Sequence, residues 1–319
     1  MKKNEIIVAI TIIVLGLIAP KALPPVWITV LSMAFYYSIL TIGWNIIFGY
    51  TGLFSYGHAA FPAIGGYTSA LLAQHIGLSP FLGLLAGALV SGFLGILIGL
   101  LILRVHGFYL CLVTWAFAEA VNVIITAEHQ ITGGTGGLLA PTFSSGPNAE
   151  LFGYFIGLGL MMFAFLISIL LYHSRWGLNL FAVRDDIDAA ESMGIKTRFW
   201  KVFGFAFGCS LAGLAGAYFA HFLGLIDPTI GGLDQMGYIC LIVIIGGLGT
   251  VYGPILGSFF VVIAKELISG WASGYSLLIF AAIMILAVRF LSGGFMEIIQ
   301  MISPRLGKRY SKIFNKNEA

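Results

Sequence analysis

Long apolar runs broken by Pro, Gly or charge dominate the chain and predict ten helices, at 6–22, 26–48, 57–75, 80–103, 107–126, 151–172, 202–223, 235–248, 253–270 and 274–292. From Ala22 to Leu103 there are 82 consecutive positions without Asp, Glu, Lys or Arg, a stretch that offers water no charged surface. Several runs are short or interrupted. The third opens on Gly57-His58-Ala59-Ala60-Phe61-Pro62, and the eighth and ninth are split only by Gly246-Gly247-Leu248-Gly249-Thr250. Non-helical backbone at membrane depth is tolerated only where protein buries it or it lines a water-filled cavity, so these breaks predict a bundle with a pathway. The Gly-rich breaks at 49–66 and 246–257 echo each other weakly. Two related halves give that pattern, and so do small residues spaced for close helix contact.

Composition closes off the soluble alternative. Of 319 residues, 59% are apolar and 9% charged, with a mean hydropathy of +1.00. The few charges then set topology. With both termini in the cytoplasm, fourteen of the sixteen Lys and Arg lie on that side: Lys2, Lys3, Arg104, five within 173–201 and six within 289–319. Lys21 and Lys265 fall elsewhere, and Glu128, Glu150, Asp227 and Asp234 lie in external segments. The positive-inside rule is satisfied, and two cytoplasmic ends require an even number of spans. Residues 6–18 are read as a retained first helix, because Pro20-Lys21 and Pro24-Pro25 fit a small-residue cleavage site poorly.

The expected fold is an all-α polytopic membrane protein of about ten transmembrane helices, some short or broken, in the cell (inner) membrane. It is a single transmembrane domain over 1–319, with a cytoplasmic loop at 173–201 and a basic cytoplasmic tail at 295–319. Membrane lipid is its expected environment, and no basic groove suits a nucleic acid. Cys111, Cys209 and Cys240 sit inside apolar runs and read as small packed hydrophobes. No metal-ligand spacing is visible, and paired carboxylates or His clusters for enzyme chemistry are absent from the loops.

The segment 173–201 is too polar to span and too patterned for a plain linker. Asp185 or Asp186 caps a short helix, Ala189, Ala190 and Glu191 follow, and Gly194 stops it. Ile187, Ala190 and Met193 or Gly194 are spaced to share one apolar face. So short a helix needs a surface to dock against, either a cytoplasmic protein or the lipid headgroups.

With these residues on the page a resemblance becomes definite. The run Arg184-Asp-Asp-Ile-Asp-Ala-Ala-Glu-Ser-Met-Gly-Ile-Lys196 resembles the Glu-Ala-Ala-type coupling loop of binding-protein-dependent ABC permeases, in its branched-chain amino acid version. Four further stretches, at 52–61, 104–119, 132–138 and 246–257, resemble LivM-type permeases and occur in that family's order. The sequence departs at Leu53 and Tyr56, where the family usually has Gln and Leu, and at Phe290-Leu-Ser-Gly-Gly-Phe295. The resemblance implies two inverted halves and a permease subunit of an importer for a small polar solute, branched-chain amino acids first. It also implies a second LivH-like permease, two ATPase subunits and an extracytoplasmic substrate-binding protein as partners. The chain has no Gly-x-x-x-x-Gly-Lys-Ser/Thr phosphate loop, so no cofactor is expected on it, and ATP belongs to the partner subunits. A stand-alone secondary transporter or channel is the rival reading, since broken helices serve those equally well.

Arg184, Asp185, Ala189, Ala190, Glu191 and Gly194 are the candidates for contact with the ATPases. Asn45, Gly57, His58, Glu119, Gly246 and Gly247 are the candidates for the translocation pathway. Glu119 lies deep in a span and is expected on the interior side, as a gate or as a carboxylate bonded to neighbouring helices. A helix opening at Gly57 and His58 aims backbone N–H groups into the bundle, or His58 simply bonds a carbonyl and fixes the break. The run Gly249-Thr-Val-Tyr-Gly253 superficially resembles a potassium filter, but its order differs and Pro254 suits a tight turn. Thr132–Leu138 is a surface for a docking protein or a flexible external loop.

Overall fold

The computed structural model describes residues 16–271, apart from 22, 104, 106 and 145, together with 282 and 285. The tenth predicted helix, most of the first, Arg104, the 290–295 segment and the basic tail lie outside the described residues. Helix α1 (Pro25–Trp44) runs on as a π-helical turn, Asn45–Tyr50. An irregular stretch and a 3₁₀ turn, Gly57–Ala59, then lead into α2 (Ala60–Ile76), α3 (Pro80–Ile102) and α4 (Phe108–Ala127). After a longer loop come α5 (Ala149–His173), the short α6 (Arg175–Asp185) and α7 (Ile187–Ser192), then α8 (Thr197–Leu223), α9 (Leu233–Gly246) and α10 (Gly253–Trp271). All eight helices predicted between 26 and 270 are present, with ends displaced by no more than five residues.

Among the described residues five helices are long and apolar enough to cross a membrane: Pro25–Tyr50, α3, α4, α5 and α8. Helix α9 has only 14 residues, a rise of about 21 Å against a hydrocarbon core near 30 Å. It is a broken element. The 3₁₀ turn before it, Pro228–Gly231, dips back onto α2, where a Cβ at Gly231 would sit 3.1 Å from that of Ala63.

Between helices that share an apolar solvent, close backbone approach replaces hydrophobic burial as the force for packing. Helix α3 carries Gly83, Gly87, Ser91, Gly95 and Gly99, one small residue per turn, and all five are buried. That stripe receives α8: a Cβ at Gly95 would lie 3.0 Å from the Ala206 Cα, and Ser210 Oγ donates to the Ala88 carbonyl at 3.0 Å. Gly43 of α1 and Gly208 of α8 meet backbone to backbone, each Cβ position falling within 2.6 Å of the other's carbonyl oxygen. Helix α8 is therefore the central post of the bundle, with α1, α2 and α3 against its glycine faces.

On the opposite side of the fold from α6 and α7, two-residue strands β1 (Leu138–Leu139) and β2 (Leu225–Ile226) pair antiparallel, with Leu138 opposite Ile226. His221 clamps the same region. Its Nδ1–H donates to the Pro141 carbonyl and its Nε2 accepts from Ser69 Oγ, both at 2.6 Å. The Thr132–Leu138 glycines are folded under this ladder rather than left loose: Thr132 Oγ1 donates to the Ile125 carbonyl at 2.6 Å, and Gly133, Gly134 and Gly137 take positive φ.

Candidate functional site

Two short helices make up the loop expected to couple. Ser174 caps α6 by accepting from Gly177 N at 3.1 Å, and Asp186 caps α7 by accepting from Ala189 N at 3.0 Å. Asp186, with φ −161° and ψ 114°, is the extended residue that separates the two. Gly194, at φ +80°, ends α7 as read from the sequence: Gly194 N donates to the Glu191 carbonyl at 2.9 Å and Ile195 N to that of Ala190 at 3.0 Å. Ala190 is buried and Ile187 half-buried, whereas Met193 is 83% exposed. Of the apolar face expected on Ile187, Ala190 and Met193 or Gly194, the chain itself covers the first two. The left-handed turn at Gly194 follows at once and leaves Met193 outside. Glu191 closes the loop by accepting from Thr197 Oγ1 at 2.5 Å, tying α7 to the first turn of α8.

Arg184, the penultimate residue of α6, reaches furthest. Its Nη1 donates to the Gly49 carbonyl at 2.8 Å, its Nε to Asp185 Oδ1 at 2.9 Å, and its guanidinium lies over the Phe181 ring at 5.2 Å. Phe181 in turn meets Tyr50 and Tyr172 edge-on at 5.0 and 5.3 Å. The coupling segment is thus anchored in the π-helical end of α1. Beneath it lies a cavity of about 240 Å³, lined among others by Thr51, Arg184, Ile187 and Lys201.

The π-helical turn is itself locked to the α9–α10 junction. Asn45 is fully buried; its Nδ2 donates to the Thr250 carbonyl at 2.9 Å and its Oδ1 accepts from Gly249 N at 2.8 Å. Gly49 and Gly249 make this possible, since a Cβ at Gly49 would lie 2.8 Å from the Gly249 N and Cα. Thr250 Oγ1 accepts from Gly253 N at 3.0 Å and starts α10. Asn45, Gly246 and Gly247 therefore sit in or beside one packed joint that ends on Arg184. Sequence reading had singled out these three residues but not their joint, and it missed Gly49 and Thr250, because nothing local marks pairs about 200 residues apart. Asn45→Leu leaves a buried N–H and a buried carbonyl unpaired, which costs about 2–4 kcal/mol. A matching fall in thermal unfolding temperature of the purified chain is expected.

The remaining pathway candidates separate. Gly57 lies against α4, where a Cβ would fall 2.6 Å from the Thr114 carbonyl, and Tyr56 N donates to Thr114 Oγ1 at 3.0 Å. His58 is fully buried, and its Nε2 pairs with the Leu40 carbonyl at 3.1 Å, fixing the break as the second reading had it. Glu119 is exposed, not interior. Helix α4 touches the rest of the chain through Leu110, Thr114, Ala118 and Ile125, and Glu119 lies on its open flank. A cavity of about 680 Å³ opens between that helix and the irregular stretch before α2, lined by Phe54, Tyr56, Phe108, Leu112 and Trp115 among others. Among the described residues no group of His, Cys, Asp and Glu is placed to hold a metal ion.

A broken multi-helix bundle, its breaks packed against each other and against a capped helix pair, is what a transport subunit needs. The sequence pattern of the family described as branched-chain amino acid transport system, permease component, matches residues 26–288. The chain belongs to this permease family. It resembles the high-affinity branched-chain amino acid transport system permease protein LivM of Escherichia coli, with 29% identity over 87% of this chain and 71% of that protein. The LivM protein of Salmonella typhimurium is 28% identical over 81% of this chain and 67% of its own. The permease LivH of Escherichia coli is 24% identical over 74% of this chain and 83% of that protein. No solved structure matches the chain. As a member of this permease family the chain is a multi-pass membrane protein and the permease subunit of an ABC-type importer.

Proposed function

We propose that this permease admits branched-chain amino acids, delivered by an external binding protein and driven by two separate ATPase subunits that dock on 173–201. It pairs with a second, LivH-like permease. Its ten spans form two inverted halves, with both termini and the 295–319 tail in the cytoplasm and the whole chain acting as one domain. ATP is bound by the partners alone. The observation that carries this reading is Arg184: a docking helix pair with a guanidinium bonded to the Gly49 carbonyl is wired into the break between α1 and α2. A stand-alone carrier has no use for such a segment.

Purification of the chain from its native membranes is expected to recover an ATPase and a second permease. Vesicles containing that complex and the binding protein are expected to accumulate radiolabelled leucine only with ATP inside. Recovery of the chain alone, with uptake driven by an ion gradient, would sink the proposal. A cysteine placed at 191 should react with a membrane-impermeant reagent only from the cytoplasmic side.

A further inference from the structure

Helix α4 is the least buried of the five long spans, and its exposed flank is unusual for a surface meant for lipid. Phe108, Leu112, Trp115, Glu119 and Asn122 recur at spacings of four, three, four and three, so they share one side of the helix. Glu119 stands near the middle of the 20-residue helix, exposed, with no hydrogen-bond or ion-pair partner among the described residues. The side-chain oxygen of Asn122, one turn further on, is buried without a partner among the described residues. A charged side chain facing hydrocarbon at the centre of a helix is expensive. Such a position is stable only against protein or water.

The lower part of the same flank answers which. Phe108, Leu112 and Trp115 form one wall of the 680 Å³ cavity, and Phe54 and Tyr56 of the irregular stretch form another. Irregular backbone at this depth is permitted because it borders that space. The cavity is large enough for a small solute and apolar in its lining, and Glu119 stands on the same side of α4 one helical turn beyond Trp115, the last residue of the helix that lines it. An apolar chamber with a carboxylate one turn further along the same helix suits a molecule that has a hydrocarbon body and an ammonium group.

The geometry points to the Phe108–Asn122 flank of α4 as this subunit's face of the translocation pathway, with Glu119 holding the solute's ammonium group and the aromatic chamber holding its apolar side chain. This rests on the importer reading above and adds the residues that meet the solute. The pathway is open on this flank of the single chain, and the second permease closes it.

Two measurements on the complete complex test it. First, Glu119→Cys is expected to react with a water-soluble cationic methanethiosulfonate reagent well above the background of the wild type's own cysteines. Leu89→Cys, on the exposed face of α3, is expected to stay at background. Second, Glu119→Gln is expected to lower ATP-driven leucine uptake at least tenfold while the variant still co-purifies with its partners, and Glu119→Asp to stay within about threefold of wild type. Labelling of Glu119→Cys no higher than background, or wild-type uptake by Glu119→Gln, overturns the assignment. Loss of co-purification in Glu119→Gln, together with an unreactive thiol in Glu119→Cys, overturns it in favour of an ion pair across the permease–permease seam. A reactive thiol in Glu119→Cys, when the wild-type complex accumulates no leucine, overturns both the amino-acid reading and the ammonium role.

Discussion

Arg184→Ala is expected to separate ATP hydrolysis from uptake: the complex assembles and hydrolyses ATP, while leucine accumulation in vesicles falls at least tenfold. The guanidinium makes a charge-assisted hydrogen bond to the Gly49 carbonyl at 2.8 Å, worth about 1.5–3 kcal/mol, and is itself held by Asp185 and Phe181. Gly49 abuts Gly249, and Asn45 holds Gly249 and Thr250. Motion of α6 and α7 therefore has a short bonded route to the ends of α1 and α9. Without the arginine, α6 keeps its buried Leu180 and Val183 and stays folded, but the route loses its first link. Arg184→Lys should recover uptake in part, since an ammonium reaches one acceptor but lacks the planar fork that engages Asp185 at the same time. Coupled uptake equal to wild type in Arg184→Ala would remove this route from the mechanism.

The second large effect is on the bundle itself. Gly216→Leu is expected to abolish accumulation of folded protein in the membrane. A Cβ there would fall on the Pro62 carbonyl, and Gly66 presses against Gly216 from the next turn of α2. Backbone cannot yield as a flexible side chain can, so the overpacking exceeds the usual 1–3 kcal/mol for a crowded core. Gly159→Leu, on α5 with no atom of the other described elements within 4 Å of its Cβ position, is the matched control and should be tolerated. Membrane content measured by detergent extraction and size-exclusion chromatography separates the two, and equal yields would refute the packing argument.

Much of this was legible in the sequence, for identifiable reasons. Helix positions follow from runs bounded by Pro25, Pro80 and the glycines, because chain punctuation is local chemistry. The α7 cap and stop were equally local, needing only Asp186 and Gly194. Whether Met193 or Gly194 continues the apolar face of α7 stayed open, because a helix of six residues has no face independent of the turn that ends it. Glu119 was misplaced. A charge within a span was assumed to point into its own bundle, and whether a flank faces its own chain or a partner leaves no periodicity in a single sequence. The Asn45–Gly249 joint was also invisible, since a π-helical turn has no residue signature and its bonds close over some 200 positions.

The π-helical turn has an implication for how this break arose. A π-turn is an α-helix that has accepted one additional residue. Deleting one residue from Asn45–Tyr50 would let α1 continue as regular helix with the segment beyond it nearly in phase, but the five residues left in the turn would be re-spaced among themselves. The Gly49 carbonyl would then swing away from Arg184, and Asn45 would lose its phase against Gly249. Such a deletion gives a straighter helix and a disconnected transporter. The irregular geometry is thus the part of α1 least free to drift, and length changes in this family are expected to spare these six positions while accumulating in the loop at 141–148.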